Sequence, residues 1–271
     1  MKIKKRLNLV IRKINIFFNF IFPIECLFCK EEGTFVCKKC FKKLEFNTNN
    51  FCLCCKKKTV WGEFCISCKN QYYLDGILFA TNYEDKKISN LIKKFKYNFV
   101  KEIGKDLAKF LYLYWKNFIN SNIFQQKTNF INLKKGLIIP IPLHKKRYNW
   151  RGFNQAQILA EEFSKKTKFP INYQLIRTKY KKAQAKFNRQ NRQENIKNCF
   201  SWLTLIDKEH PILPKFKNNL FDQKNTLNNL KNYEIILIDD VATTGATLNE
   251  AAKILKNNGA KKVWGLVVAH G

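Results

Sequence analysis

The 271-residue sequence contains no apolar run long enough to cross a bilayer, which takes about 20 consecutive apolar residues in a helix. Its most apolar stretch lies near the N-terminus and is interrupted by Asn15 and Asn19. No small-residue cleavage site precedes Cys26, so the pattern of a secretory signal peptide is absent as well. We therefore expect a cytoplasmic protein, peripheral to the inner membrane at most, whose cysteines do not form disulfides.

Acidic residues are scarce, since 51 Lys and Arg face 20 Asp and Glu and the formal net charge is +31. This imbalance indicates polyanionic partners such as nucleic acid, anionic lipid or phosphate esters, although A/T-rich codon usage is an alternative source of the lysines. Arginine is the better indicator, because the same codon bias would remove it and its planar guanidinium binds phosphate in a bidentate manner. Only seven arginines are present, and five lie within 147–192, where we place an anion site: Arg147, Arg151, Arg177, Arg189 and Arg192.

Residues 1–23 form a basic leader in which apolar side chains recur at alternating intervals of four and three residues. This spacing predicts an amphipathic helix. Two interpretations stay open: the apolar stripe packs on the protein itself, or the helix lies on a membrane surface. The second would place the protein at the inner face of the cytoplasmic membrane.

Two regions follow the leader, a cysteine-rich module at 24–70 and a domain at 71–271. Residues 72–120 look helical and basic. From 136 onward, predicted strands alternate with predicted helices, which is typical of a parallel sheet flanked by helices. The strands are GLIIPIP, EIILIDD and VWGLVVA, and the helices are FNQAQILAEEFSKKTK and ATLNEAAKILKNN, with Gly259 at a helix end. The polar stretch 207–231 is predicted to be a surface excursion.

The cysteine module contains four Cys-x-x-Cys pairs separated by seven, eleven and nine residues. Such a turn directs two thiolates at one ion, and four thiolates form a closed structural zinc site, so the pairs predict about two Zn²⁺ ions. Sequential and interleaved pairings both stay open, and Cys54 is an alternative ligand to Cys52 or Cys55. Cys199 is expected to be a buried thiol. The predicted ligands are Cys26, Cys29, Cys37, Cys40, Cys52, Cys55, Cys65 and Cys68.

The most specific motif is IILIDDVATTGAT at 235–247, an apolar strand, two acids and a Thr/Gly loop that opens a helix. The carboxylates of Asp239 and Asp240 are placed at the strand end to accept hydrogen bonds from the vicinal hydroxyls of a ribose. Beyond them, backbone N–H groups, hydroxyls and a helix N-terminus suit a phosphate, which a glycine allows to approach closely. The predicted phosphate-binding residues are Thr243, Thr244, Gly245, Ala246 and Thr247.

This motif resembles the phosphoribosyl pyrophosphate signature of type I phosphoribosyltransferases. Three further segments resemble the ComF family of competence proteins: YEDKKISNLIKKFKY, its domain entry; IPIPLHKKRYNWRGFNQAQILA, its first core strand, pyrophosphate-facing loop and helix; and IRTKYKKAQAKFNRQNRQENIKNCF, its hood. The four cysteine pairs in front complete the family's order. The resemblance implies an α/β fold, a type I phosphoribosyltransferase-like parallel sheet flanked by helices, behind a small zinc-ribbon module.

The resemblance also implies a site. It gives Asp239 and Asp240 to the ribose, adds Ala242 to the 5-phosphate residues, and turns the backbone near Leu143, His144 and Lys145 toward pyrophosphate bound with Mg²⁺. Candidate nucleic-acid contacts, with solvated surface charge as the alternative, are Arg147, Arg151, Arg189 and Arg192. The aromatic residues among them either stack on bases or anchor the loop in the core: Tyr148, Trp150 and Phe153.

Phosphoribosyl transfer requires charge neutralisation at the leaving group and no protein nucleophile, so no catalytic residue is assigned. Nothing in the sequence indicates a purine pocket or a glutaminase, which leaves the acceptor unknown. Three functions stay open. The first is a ComF-like protein that binds phosphoribosyl pyrophosphate and assists single-stranded DNA uptake in natural transformation, with the membrane or DNA-uptake proteins as partners. The others are an active phosphoribosyltransferase of the amidophosphoribosyltransferase type and a ligand-sensing or scaffolding module.

Overall fold

The structure is a computed structural model that describes residues 24–121, 135–180, 196–203 and 229–271. The chain divides into two compact units, Met1–Glu45 and Phe46–Gly271. The basic leader and nearly all of the predicted excursion at 207–231 lie outside the described residues. The smaller unit contains the first four pair-forming cysteines and a one-turn helix, α1 (Lys38–Phe41).

A four-stranded parallel sheet forms the centre of the larger unit, in the order β1-β6-β5-β2. Its strands are β1 (Gly76–Asn82), β2 (Gly136–Pro140), β5 (Glu234–Ala242) and β6 (Lys262–His270). A short antiparallel pair lies apart from it, β3 (Leu175–Arg177) with β4 (Phe200–Trp202). The central strands are nearly continuous apolar runs because both faces of a parallel sheet are covered. The parallel sheet predicted from the sequence is thereby confirmed, with β2, β5 and β6 where they were predicted.

The helical interpretation of 72–120 was wrong at its start, because residues 76–82 form β1 at the edge of the sheet. This run of seven residues has six buried positions in succession. A short, continuously buried run has neither the period of an amphipathic helix nor the alternation of a half-exposed strand, so periodicity does not identify it.

Helices flank the sheet in the order that the sequence alternation predicts. They are α2 (Ile66–Lys69), α3 (Lys86–Tyr97), α4 (Ile103–Ile119), α5 (Lys145–Arg151), α6 (Gln155–Thr167) and α7 (Ala246–Asn257). Asp85 begins α3 by accepting hydrogen bonds from two backbone N–H groups, and Asn154 begins α6 by accepting one, from the Ala156 N–H. α4 and α6 pack on each other and on the sheet, whereas α7 packs on β5 and β6.

The sheet face that carries α7 is also covered by the second set of cysteines. Cys52, Leu53 and Cys68 belong to one buried cluster with Ile235 of β5 and Leu248 of α7. The second cysteine set therefore shares its hydrophobic core with the strand that ends in the acid pair.

Candidate functional site

The acid pair lies at the carboxyl end of β5. Asp240 is only 4% exposed, and its backbone N–H donates to Oδ1 of Asp239 at 2.8 Å. Its side chain forms an ion pair with Lys96 on α3, with 2.8 Å between Nζ and Oδ1. A buried carboxylate needs such a partner, because an unpaired charge away from water is strongly destabilising.

The two carboxylates differ in their electrostatic surroundings. Burial, together with the neighbouring charge of Asp240, raises the pKa of Asp239 to about 7. Burial lowers the pKa of Lys96, but the carboxylates of Asp240 and Asp239 outweigh it and raise that pKa overall. Lys96 is therefore a charged partner of Asp240, and a pKa of about 7 makes Asp239 sensitive to pH near neutrality.

A loop of three residues joins β5 to α7. Gly245 has a φ of +72°, a left-handed conformation, and directly precedes the first residue of α7. The hydroxyl oxygen of Thr244 accepts a hydrogen bond from the Ala246 N–H at 3.4 Å, and Thr243 is exposed. The structure thus places the predicted residues, Ala242 and Thr243 through Thr247, in one continuous turn at the positive end of a twelve-residue helix.

The second cysteine set contacts this loop directly. A Cβ atom added at Gly245 would lie 2.7 Å from a methyl carbon of Leu53, the residue that follows Cys52. Leu53 is 3% exposed. Lys56 of the cysteine region also contacts His270, the last residue of the neighbouring strand β6, with 3.4 Å between Nζ and Nε2. Contacts from the cysteine region therefore reach both the phosphate loop and the end of β6.

The predicted pyrophosphate-facing residues follow β2, which pairs in parallel with β5, so they leave the sheet at the same edge as the acid pair. His144 begins α5, and its Nδ1 accepts the Lys146 N–H at 3.2 Å. Burial lowers the pKa of His144, as do the charges of Arg177 and Lys146. A neutral imidazole that accepts at Nδ1 carries its proton on Nε2, and the hydrogen bond of the ring with the backbone of Thr178 already uses this proton. Leu143 is partly buried and Lys145 is exposed.

The arginine cluster is described only in part. Arg147 and Arg151 lie on α5, whereas Arg189 and Arg192 lie outside the described residues. Arg177, which the sequence placed in the cluster without a role, is 8% exposed, and its Nε has no hydrogen-bond partner within the described ranges. Burial lowers the pKa of Arg177, as does Arg147, while Asp239 opposes this. This buried guanidinium lies over the Phe200 ring, with its carbon 5.5 Å from the ring centroid.

The cysteines group sequentially into two sets, and in each set the four Sγ atoms lie within 4.8 Å of one another: Cys26, Cys29, Cys37 and Cys40, then Cys52, Cys55, Cys65 and Cys68. Tetrahedral zinc at about 2.3 Å from each sulfur requires about 3.8 Å between sulfurs. One sulfur pair in each set is 3.5 Å apart, so both sets fit the ion. Cys54 lies outside the second set, and Cys199 is fully buried as predicted.

Comparison with known proteins agrees with this geometry. Residues 150–270 match the phosphoribosyl transferase domain, and residues 17–69 match the double zinc ribbon domain. Competence protein F of Haemophilus influenzae is 29% identical over 253 residues, covering 87% of this chain and 97% of the relative. Competence protein ComFC of Bacillus subtilis is 27% identical, covering 86% and 82%. Over most of its length this chain is similar to the ComF-family competence proteins.

A third relative in the comparison is the DNA utilization protein YhgH of Escherichia coli K12, 26% identical over 65% of this chain and 64% of its own length. These domain matches and similarities confirm the resemblance on which the phosphoribosyltransferase-like fold and the zinc-ribbon module were predicted. Among the described helices, none has both the length and the apolar character needed to cross a membrane.

Two contacts at the site were not predicted. Lys96 was indistinguishable by residue type in a lysine-rich chain, although its position four residues after buried Ile92 places it on the buried side of α3. That spacing was the available signal. Leu53 approaches Gly245 across almost two hundred residues of sequence, and no local pattern indicates such a contact.

Proposed function

We propose that this chain binds phosphoribosyl pyrophosphate, or a ribose 5-phosphate group, at the end of β5 and assists single-stranded DNA uptake in natural transformation. One observation carries the proposal: the acid pair and the phosphate loop lie in succession at one sheet edge, in a chain whose relatives are named for competence. Ligands of parallel α/β sheets bind outside the carboxyl ends of the strands, which is where both features lie.

The two halves of the ligand are matched by different groups. The carboxylate oxygens of Asp239 and Asp240 accept hydrogen bonds from the ribose hydroxyls, while N–H groups at the start of α7 bind the 5-phosphate. The loop at Leu143, His144 and Lys145 faces the pyrophosphate. Carboxylate and phosphate oxygens are the ligands that Mg²⁺ prefers, and the ion would supply neutralisation of the pyrophosphate charge when bound with it.

Substitution of the acid pair tests the ribose half. We expect Asp239→Asn with Asp240→Asn to weaken binding of phosphoribosyl pyrophosphate about 100-fold, because each amide accepts fewer hydrogen bonds and carries no charge. Isothermal titration calorimetry measures this affinity. The matched control is Asp75→Asn at the opposite edge of the sheet, where Asp75 pairs with Lys256 at the same 2.8 Å distance. Equal affinity in the double variant and the wild type would place the ligand elsewhere.

Substitution of the arginines tests the DNA half. Each neutralised phosphate contributes about −0.7 to the log–log slope of affinity against salt for single strands. We therefore expect glutamine at four positions to flatten that slope by roughly 2 to 3. The four positions are Arg147, Arg151, Arg189 and Arg192. An unchanged slope would leave the positive charge of the chain unconnected to DNA.

Turnover is a second candidate, favoured by the buried guanidinium of Arg177 near Asp239. A cation held beside the ribose stabilises charge that develops on a pyrophosphate leaving group. Pyrophosphate release from phosphoribosyl pyrophosphate, measured with and without single-stranded DNA, separates an enzyme from a binding protein. Release that Arg177→Gln reduces at least ten-fold would establish the enzyme.

A further inference from the structure

Three large aromatic side chains stand exposed beside the acid pair. Tyr97 is 57% exposed, Phe99 42% and Trp150 59%. They come from two elements, the end of α3 and α5, yet the ring centroids of Phe99 and Trp150 lie 5.3 Å apart and those of Tyr97 and Trp150 lie 6.3 Å apart. We call these three residues the aromatic platform. Phe153, by contrast, is 5% exposed and packs on Phe95, so it anchors the core.

Phe99 is held in a backbone conformation that disfavours it. Its φ is +60°, which is left-handed, and it directly follows Asn98, the residue that ends α3. Glycine is the usual residue at this place after a helix, because a Cβ atom is strained there. Backbone strain of this kind is found mainly at functional sites, and the Phe99 side chain is 42% exposed. The fold does not account for this phenylalanine.

A cation lies against the platform. The guanidinium carbon of Arg151 is 5.8 Å from the Tyr97 ring centroid and 5.7 Å from that of Trp150. Its Nε has no hydrogen-bond partner in the part of the chain that the structure describes. Lys96, the residue before Tyr97, forms the ion pair with Asp240. The platform therefore begins one residue from the ribose end of the proposed site, and its surroundings are cationic.

We propose that the aromatic platform stacks the bases of a single-stranded nucleic acid while Arg151 binds its phosphates. Exposed rings beside a guanidinium are the combination that binds single strands without sequence preference, since every base has a π-face. A protein partner would use the rings but would leave the positive charge of Arg151 and its surroundings without a complement. The inference rests on the proposed function and specifies which side chains contact the bases.

The decisive comparison is between oligo-dT and an abasic oligonucleotide of equal length, which has the same phosphates and no bases. We expect the wild type to prefer oligo-dT, and Phe99→Gly and Trp150→Ala each to reduce that preference on the order of ten-fold. Phe99→Gly also separates binding from folding, because glycine relieves the strain and the melting temperature should stay equal or rise. Tyr73→Ala is the matched control: Tyr73 is 45% exposed beneath Lys253, at the opposite edge of the sheet.

Trp150 supplies a second readout. The other four tryptophans are each at most 8% exposed, so quenching of fluorescence by added oligo-dT reports Trp150 and should vanish in Trp150→Phe while binding persists. Equal binding of the two oligonucleotides, unaltered by the variants, overturns the platform and leaves phosphate binding to DNA intact. A wild type that binds neither overturns the platform together with the DNA half of the proposed function. Binding of phosphoribosyl pyrophosphate in the same samples checks the ribose site separately.

Discussion

The two four-cysteine sites are built alike but differ in what surrounds them. In each, the residue after the first Cys-x-x-Cys pair has a left-handed φ, +67° at Lys30 and +64° at Lys56, and its N–H donates to the carbonyl of the pair's first cysteine. The second pair of each site opens or lies on a one-turn helix, α1 or α2. Identical spacing therefore gives the same local turn twice.

The leucine that follows the first cysteine of each site shows the difference. Leu27, after Cys26, is partly exposed within the smaller compact unit. Leu53, after Cys52, is buried in the core of the larger unit, against Ile77 and the phosphate loop. A metal-binding motif thus specifies its own geometry, whereas its surroundings decide whether the ion also stabilises a ligand site.

The largest effect should come from removing ligands of either site. Wild type should contain about two zinc ions, and each double Cys→Ser variant about one. Cys52→Ser with Cys68→Ser should abolish cooperative unfolding of the larger unit and ribose-phosphate binding, because both side chains lie in its core. Cys26→Ser with Cys40→Ser should retain cooperative unfolding of the larger unit and ribose-phosphate binding. Metal analysis, calorimetry and titration measure these outcomes. Equal losses of cooperative unfolding and of ribose-phosphate binding in the two variants would mean that both cysteine sites support the larger unit alike.

Truncation of the two leucines is the next largest contrast. Leu53→Ala should lower the free energy of unfolding by about 2 to 5 kcal/mol, the usual cost of a buried leucine, and weaken phosphate binding. Leu27→Ala is its counterpart at the equivalent position and should cost about 1 kcal/mol or less. Chemical denaturation of both variants provides the values. Similar losses at the two positions would argue against a special role for Leu53.

Gly245 allows the contact itself to be measured. Gly245→Ala should destabilise by about 1 to 3 kcal/mol, because its Cβ meets Leu53 and its φ is positive. In the Leu53→Ala background the clash with Leu53 disappears, whereas the backbone strain and the 2.9 Å approach to Cδ1 of Ile77 are left. The double-mutant cycle should therefore give a coupling of about 0.5 to 3 kcal/mol. Additive effects would show that the loop and the cysteine region relax independently.

The sequence predicted the contiguous features and missed those formed across the chain. The acid pair, the phosphate loop and β5 are consecutive residues, so one motif specifies them together, and buried parallel strands stand out as apolar runs. β1 was not predicted because a seven-residue buried run has no diagnostic period. Lys96 and Leu53 reach the site through the packing of α3 and of the second cysteine set. Local spacing places Lys96 on the buried side of α3 but does not identify Asp240 as its partner, and no local spacing indicates the contact of Leu53.

The smallest effect concerns pH, and it tests how far the influence of the second cysteine set extends. Burial and Asp240 raise the pKa of Asp239 to about 7, and ribose hydroxyls donate to its ionised form. Affinity for ribose 5-phosphate should therefore rise roughly ten-fold from about pH 6 to about pH 8, as Asp239 loses its proton. The raised pKa acts on folding with the opposite sign: it favours the folded state below the unfolded pKa, and that stability is lost as pH rises through about 7.

Asp239→Asn should leave only the smaller pH dependence of the ligand's own phosphate, whose second pKa is about 6. Leu53→Ala should lower the affinity at every pH without moving the midpoint, because Leu53 contacts the loop at Gly245 and the pKa of Asp239 is set by burial, Asp240 and Lys96. Titrations of the wild type and both variants at several pH values give the midpoints. A midpoint displaced by Leu53→Ala would extend the influence of the second cysteine set to the ribose half, and a flat wild-type profile would mean that Asp239 is ionised throughout.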